Sequence, residues 1–258
     1  QPQLPQRGGG SVLHSIYPGR IFPPEDALMR GTLAMLDANE REGLIYGTGW
    51  DAAGLWTYAG SFYAHAHLWL GHSEKAATTF YAFANHACPL LCWREEQNPR
   101  NEPERYVGDM PHNWASAEFI RLIRHMLILE RGEHLHLLEG MPHVWSRPGD
   151  TIRLEDIPAS FGSVGLSAHV AEDGQSGWIR IRPPTREPME KLVLHLEQFG
   201  RPVERVRIDG REIGSDSTLT TSGQEIVLGL DFGMVSQACG RNHKYRALAQ
   251  TYMVESRR

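Results

Sequence analysis

The chain has 258 residues, of which 41% are hydrophobic, so it can bury the core of one large domain or of two ordinary ones. Its formal net charge of −5 is modest for this length and favours neither nucleic acid nor an anionic membrane surface as a partner. No apolar run reaches the roughly 18 residues that a membrane span needs.

The first residues, 1–13, are rich in Gln, Pro and Gly, which predicts a disordered or linker-like start. The chain has no initiating Met and no charged-then-apolar leader, so we expect a piece of a longer, cytoplasmic protein. Three cysteines without a disulfide-framework spacing favour a reducing compartment.

Between residues 14 and 132, apolar side chains recur every three or four positions, as they do on one face of an α-helix. The clearest helix is predicted over 115–131, with Asn113 as its N-cap and Gly132 as its end. Gly71 is expected to end an earlier helix in the same way. The earlier helical segments centre on 27–35, 62–69 and 76–87.

After residue 132 the apolar residues alternate with polar ones, which predicts strands. Asp173-Gly174 and Asp209-Gly210 are turn signals of the kind that separates antiparallel strands. The sequence therefore predicts an α+β chain, with helices over 14–132, an antiparallel β-sandwich over 133–234 and a basic tail over 235–258. The alternating segments are 152–154, 164–170, 179–181, 192–196, 206–208 and 226–230.

The connection over 88–114 is far longer than the usual 4–6 or so residues, and structureless loops beyond about 12–15 are often functional. Its carboxylates could serve as general acid, general base or nucleophile, and its aromatic rings could pack on the apolar faces of sugar rings. A solvated loop that its tryptophans merely anchor is the alternative. The candidates are Glu95 and Glu96 for catalysis, with Trp93, Asp109, His112 and Trp114 for substrate binding.

A second aromatic-rich connection over 47–65 could line the same cleft as the first. Large aromatic residues are also common core fillers, so part of this set is expected to be structural. The candidates for substrate binding are Trp50, Asp51, Trp56, Tyr58 and His65.

The 13 histidines raise the question of a metal site. His65/His67 and His134/His136 are each two residues apart, a spacing that shares a face on a strand but not on a helix. The sequence has no H-E-x-x-H motif and no repeated Cys pair, and the single C-x3-C spacing is a weak signal. Neither a metal nor a cofactor is therefore predicted.

The order of these elements resembles the C-terminal part of six-hairpin glycosidases, with a layout closest to the α-L-rhamnosidase-like members. The resemblance covers roughly 14–232 and rests on a loop in which Glu soon follows Trp93, on GDMPHNWASAEFIRL opening the last helix, and on the predicted sandwich. The stretch GTGWDAAGLWTYAGSFYAHAHLWLG is similar to an aromatic-rich loop leading into a helix that lines the toroid of that family.

This resemblance implies a partial α/α toroid, a carbohydrate substrate and helices outside this chain on which the toroid helices pack. In rhamnosidase-like enzymes, a Glu directly after this Trp is the general base of inverting hydrolysis. Here Arg94 intervenes, so the role falls to Glu95 or Glu96, and the general acid is expected from sequence outside the chain. The alternatives are a carbohydrate-binding protein without turnover and a helical scaffold for protein partners.

Overall fold

The computed structural model describes residues 8–23, 25–103, 105–213, 218–220 and 222–233. The chain divides into two compact units, Gln1–His125 and Met126–Arg258. The first unit is mainly helical and the second mainly β, which is the order that the sequence predicts. The predicted basic tail over 235–258 lies outside the described residues.

The start of α1 and the end of α2 follow from local sequence signals. Asp26 accepts the backbone N–H groups of Leu28 and Met29 and so caps α1. Gly71 follows α2 with a φ of 79°, which confirms it as the predicted end of that helix. The helices are a 3-10 helix over Gly9–Ser15, α1 over Ala27–Ala38, α2 over Ala59–Trp69, α3 over Ser73–Asn85, α4 over Asn113–Leu127 and two short 3-10 helices over His143–Trp145 and Leu196–Phe199.

Part of the predicted linker-like start is ordered. Residues 9–13 lie in the leading 3-10 helix, and the side chain of Leu13 is fully buried. A Cβ atom added to Gly10 would lie 2.8 Å from Cδ1 of Ile45, so a side chain there would require Ile45 to shift. The end of this stretch, from Gly9 to Leu13, therefore belongs to the packed structure.

An aromatic cluster joins α3, α4 and the loop between them. Trp93 packs against Phe83 and Phe119, with ring centroids 5.1 and 4.7 Å away, and its indole N–H donates to the backbone oxygen of Phe83. Aromatic pairs of this kind add roughly 0.5–1.5 kcal/mol beyond the area that they bury. The cluster fixes where the loop after α3 begins.

Short strands hold the two aromatic-rich connections together. Strand β4 pairs with β3 through Trp56 and Glu96, and with β5 through Glu96 and Val107. The two connections are therefore hydrogen-bonded to each other, although they lie some forty residues apart in sequence. The strands are β1 over Glu40–Arg41, β2 over Leu44–Ile45, β3 over Leu55–Trp56, β4 over Glu96–Gln97 and β5 over Tyr106–Val107.

The predicted helix over 115–131 is wrong in its last turn. Strand β6 (Ile128–Arg131) follows α4 directly and pairs antiparallel with β7 (His134–Leu137), and Gly132 turns the hairpin with a φ of 64°. A short apolar run fits a helix or a strand equally well, and pairing with β7 decides between them here. The boundary between the units lies at residue 125, ahead of the predicted boundary at 132.

The second unit contains two sheets among its described residues. One has the strand order β13-β12-β15-β10-β9-β8, and the other has the order β14-β11-β7-β6. The remaining strands are β8 over Thr151–Ala159, β9 over Gly162–Val170, β10 over Ser176–Arg182, β11 over Lys191–Leu194, β12 over Val203–Ile208, β13 over Arg211–Glu212, β14 over Thr218–Leu219 and β15 over Ile226–Phe232.

In the larger sheet, buried and exposed side chains alternate as the apolar and polar residues of the sequence predict. Ile179 and Ile181 of β10 are fully buried and pair with Leu228 and Ile226 of β15. Asp209 and Gly210, with φ values of 49° and 78°, form the two-residue turn between β12 and β13. The predicted turn at this position is confirmed.

The smaller sheet differs from the predicted antiparallel arrangement, because β7 and β11 run parallel. A parallel pair needs a long crossover, and the chain supplies one by forming β8, β9 and β10 between these two strands.

Among the described residues, no helix has the length and apolar content required to cross a bilayer.

Candidate functional site

Three side chains at the beginnings of α2 and α4 form a stacked aromatic ladder, made of Tyr58, His112 and Trp114. The ring of Tyr58 lies 5.1 Å from that of His112 and 4.7 Å from that of Trp114, at interplanar angles of 30° and 22°. Tyr58 is buried, whereas Trp114 is 53% exposed. The buried ring thus supports an indole that presents a broad apolar surface to solvent.

A carboxylate cluster, made of Glu95, Asp109 and His112, lies beside this ladder. One polar atom of each of the three lies within 4.8 Å of the others. Nδ1 of His112 is 2.6 Å from Oδ1 of Asp109, and this hydrogen bond lowers the pKa of Asp109. The cluster therefore keeps a charged carboxylate next to an aromatic platform.

Gly108 makes room for the side chain of Glu95. It has a φ of 74°, and a Cβ atom there would collide with the carboxylate of Glu95. The backbone N–H of Glu95 donates to the backbone oxygen of Asp109 at 3.2 Å. Strands β4 and β5 thus hold the half-buried Glu95 against the turn at Gly108.

Glu96, its neighbour in sequence, occupies a different environment, because its side chain is 0% exposed. Its Oε2 atom accepts the backbone N–H groups of Trp50 and Asp51 at 2.8 and 3.1 Å. Burial raises the pKa of Glu96, although these two hydrogen bonds act in the opposite direction. Glu96 thus holds the loop around Trp50 from beneath.

The loop around Trp50 carries one exposed and one buried candidate. Trp50 is 60% exposed, and Asp51 is buried with its Oδ1 accepting the N–H of Ala53 at 2.9 Å. Trp50 therefore offers a second indole surface, while Asp51 shapes the loop backbone.

The other predicted binding residues lie in the interior of the first unit. Trp56 and Trp93 are buried, and so is His65, whose Nε2 lies 2.8 Å from Nδ1 of His125. Burial lowers the pKa of His65 well below its usual value, so its ring is neutral. Trp56 contacts the ladder from the core side, with its ring 5.0 Å from that of Tyr58 at an interplanar angle of 76°. Trp93 packs with Phe83 and Phe119, and His65 packs with His125.

A further buried network centres on Glu118, which the sequence analysis did not identify. Oε2 of Glu118 accepts a hydrogen bond from Oγ of Ser61 at 2.7 Å and another from Nη2 of Arg121 at 2.7 Å. The E-x-x-R spacing on a predicted helix is the signal that could have revealed the pair with Arg121. This network joins α2 to α4.

Comparisons with known proteins add distant structural likenesses. No protein-family profile matches the chain, and no curated protein matches it in sequence. The chain is similar in structure to a protein described as a GH127 β-arabinofuranosidase, with a TM-score of 0.38 and 8% sequence identity. The match covers 75% of this chain and 36% of the other, so this chain spans about a third of that structure's length.

Proposed function

We propose that this chain is the C-terminal segment of a glycoside hydrolase and that it supplies one wall of the sugar site. The observation that carries the proposal is the exposed indole of Trp114, which ends the aromatic ladder beside the carboxylates of Glu95 and Asp109. An apolar ring face next to charged oxygen acceptors suits a sugar, whose C–H faces are apolar and whose hydroxyls donate. The sequence resemblance to six-hairpin glycosidases supports the same reading.

Within this proposal, Glu95 is the general base and Glu96 has a positioning role. Glu95 is only half-buried, so its carboxylate can accept a proton from a water molecule that attacks the anomeric carbon. Glu96 is sealed beneath the backbone of Trp50 and Asp51 and is committed to two N–H groups. The resemblance left both residues open, and their burial favours Glu95.

The reaction would be an inverting hydrolysis that this chain completes only in part. The acid that protonates the leaving oxygen would come from sequence outside the chain, about 6.5–9.5 Å from Glu95. Helices α1 to α4 would be the last helices of an α/α toroid. Leu28 on α1 and Ile120 on α4 are exposed apolar residues, as expected of faces that other toroid helices cover.

The test is hydrolysis of a panel of aryl glycosides by the full-length parent protein. Glu95→Gln should lower kcat by about a hundredfold or more, because the neutral amide cannot accept a proton from water. Glu96→Gln serves as the matched control, since it changes the adjacent residue by the same chemistry and should lower kcat far less. Circular dichroism checks that both variants fold. Equal rates in the two variants would remove Glu95 from the role of base.

The second candidate is a carbohydrate-binding protein without turnover, and the exposure of both Trp50 and Trp114 favours it. Indole platforms grip sugars without any acid or base. This reading predicts that the parent protein binds oligosaccharide, that Trp114→Ala abolishes binding and that no glycoside in the panel is cleaved.

A further inference from the structure

Two neighbouring strands of the second unit bring two histidines onto one face. His136 of β7 pairs with Val193 of the parallel strand β11, and the N–H of His195 continues this ladder to the oxygen of Leu137 at 3.1 Å. Side chains alternate along a strand, so His195, two residues after Val193, lies on the same face as His136. Glu139 follows β7 closely, and its buried carboxylate joins the two rings.

Three possible ligand atoms converge at this point, one from each residue. Nδ1 of His136 lies 2.9 Å from Nε2 of His195 and 3.5 Å from Oε2 of Glu139. Nε2 of His195 lies 3.9 Å from the same carboxylate oxygen. Bonds of about 2.0–2.2 Å to a tetrahedral Zn²⁺ place neighbouring ligand atoms roughly 3.3–3.5 Å apart. The three separations bracket that range, so one ion would satisfy all three atoms after small rotations.

The surrounding groups orient these ligands as a metal site requires. Nδ1 of His195 lies 2.9 Å from Oε1 of Glu197, so this nitrogen carries the proton and Nε2 keeps its lone pair. Oε1 of Glu139 accepts Nη2 of Arg131 at 2.6 Å, while Oε2 faces the two rings. A second-shell carboxylate on a ligating histidine is a recurrent feature of zinc sites.

We propose that His136, Glu139 and His195 bind one Zn²⁺ ion, with a water molecule as the fourth ligand. Two imidazole nitrogens and one carboxylate oxygen are ligands that zinc favours. The ion would tie β7 to the end of β11. This site belongs to the second unit and does not depend on the proposed glycosidase activity. The sequence analysis predicts no metal, because the sequence contains no local metal-binding motif.

The competing interpretation is a direct hydrogen bond between the two histidines beside an ion pair of Glu139 with Arg131. Nε of Arg131 lies 3.0 Å from Oε2 of Glu139, the oxygen that the metal would use. The two interpretations therefore make opposite predictions for Arg131. If the cluster binds a metal, replacing Arg131 by a neutral residue should free the carboxylate and raise the affinity for Zn²⁺. If the cluster does not bind a metal, the same replacement should not raise that affinity.

The experiment is calorimetric titration of the chelator-stripped 258-residue chain with Zn²⁺. We expect one ion per chain, and His136→Ala and His195→Ala should each weaken binding by about a hundredfold or more. His134→Ala is the matched control, because His134 lies on the same strand and face but outside the cluster, and its affinity should be unchanged. Circular dichroism before titration checks the fold.

Arg131→Gln provides the decisive second variant, since it should tighten Zn²⁺ binding. Thermal unfolding with and without Zn²⁺ should show a larger rise in Tm for this variant than for the wild type. Absence of stoichiometric binding, or equal affinity in wild type and the His136→Ala/His195→Ala double variant, would overturn the proposal. If the double variant does not fold, failure of Arg131→Gln to gain affinity would overturn it instead.

Discussion

The connections of the first unit and the sheets of the second are specified in different ways. In the larger sheet, buried Ile179 and Ile181 alternate with exposed arginines. Several positions therefore indicate the same buried face, and no single residue determines it. In the connections, the backbone depends on contacts made by single side chains, such as Glu96 beneath the loop at Trp50. Substitutions in the sheet should therefore destabilise it by leaving cavities in the core. Substitutions in the connections should destabilise them by disturbing specific contacts.

The largest effect is expected in the sheet. Leu228→Ala removes a fully buried side chain of β15 and should cost about 2–5 kcal/mol of the free energy of unfolding, because a cavity remains. Val227→Ala is the matched control, since the neighbouring side chain is 39% exposed and should change stability by less than about 0.5 kcal/mol. Urea denaturation of both variants measures the difference, and equal costs would show that alternation does not define the buried face.

A smaller but more specific effect is expected in the connection. A Cβ atom at Gly54 would lie 2.5 Å from Oε1 of Glu96. The carboxylate is held in place through its other oxygen, Oε2, which accepts two backbone N–H groups. Gly54→Ala should therefore cost about 1–3 kcal/mol through overpacking.

The same substitution should cost little in a Glu96→Ala background, because the colliding atoms are gone. A double-mutant cycle from urea denaturation measures this coupling. Additive costs would show that Glu96 and Gly54 do not determine each other's conformation.

Sequence periodicity could predict the sheet but not this connection. Five of the six alternating segments lie within strands, because alternation is a local signal. The sixth, 192–196, runs past the end of β11 at Leu194 into a 3-10 helix over Leu196–Phe199. Strand β4 has only two residues, and its partner β3 lies some forty residues earlier, so no period identifies it. The long loop was expected to be functional, yet the opposite environments of Glu95 and Glu96 follow from non-local contacts with Gly108 and the backbone of Trp50.

The histidines show the same limit. The sequence analysis states that His134 and His136 share a face if they lie on a strand, and β7 confirms this. The contact of His136 with His195 depends on a parallel pairing across a long crossover, which the predicted antiparallel arrangement did not include.

The raised pKa of Glu96 offers a test of the connection by pH. Burial favours the neutral carboxyl, so the native state binds this proton more tightly than the unfolded chain, whose value is near the ordinary 4.5. The stability that Glu96 contributes is therefore highest below that value and falls as the pH rises through the native pKa. Asp51 and Glu95 are the nearby acids that strengthen the shift.

Glu96→Gln keeps a neutral side chain of the same shape at every pH. We expect the wild type to lose stability relative to this variant as the pH rises from below 4.5 toward neutrality. Urea midpoints of the two proteins at a series of pH values measure the difference. A difference that stays constant with pH would mean that burial does not perturb this carboxyl.

The smallest effect should come from a glycine that no contact requires. Gly31 lies inside α1, and a Cβ atom there would have nothing within 4 Å. Gly31→Ala should raise the free energy of unfolding by about 0.5–1 kcal/mol, because alanine loses less backbone freedom on entering a helix. Thermal or urea denaturation measures the gain. Gly54→Ala makes the same chemical change, but it should lower the free energy of unfolding. The two variants therefore distinguish a glycine that a connection requires from one that a regular helix only tolerates. A loss of stability in Gly31→Ala would contradict this distinction.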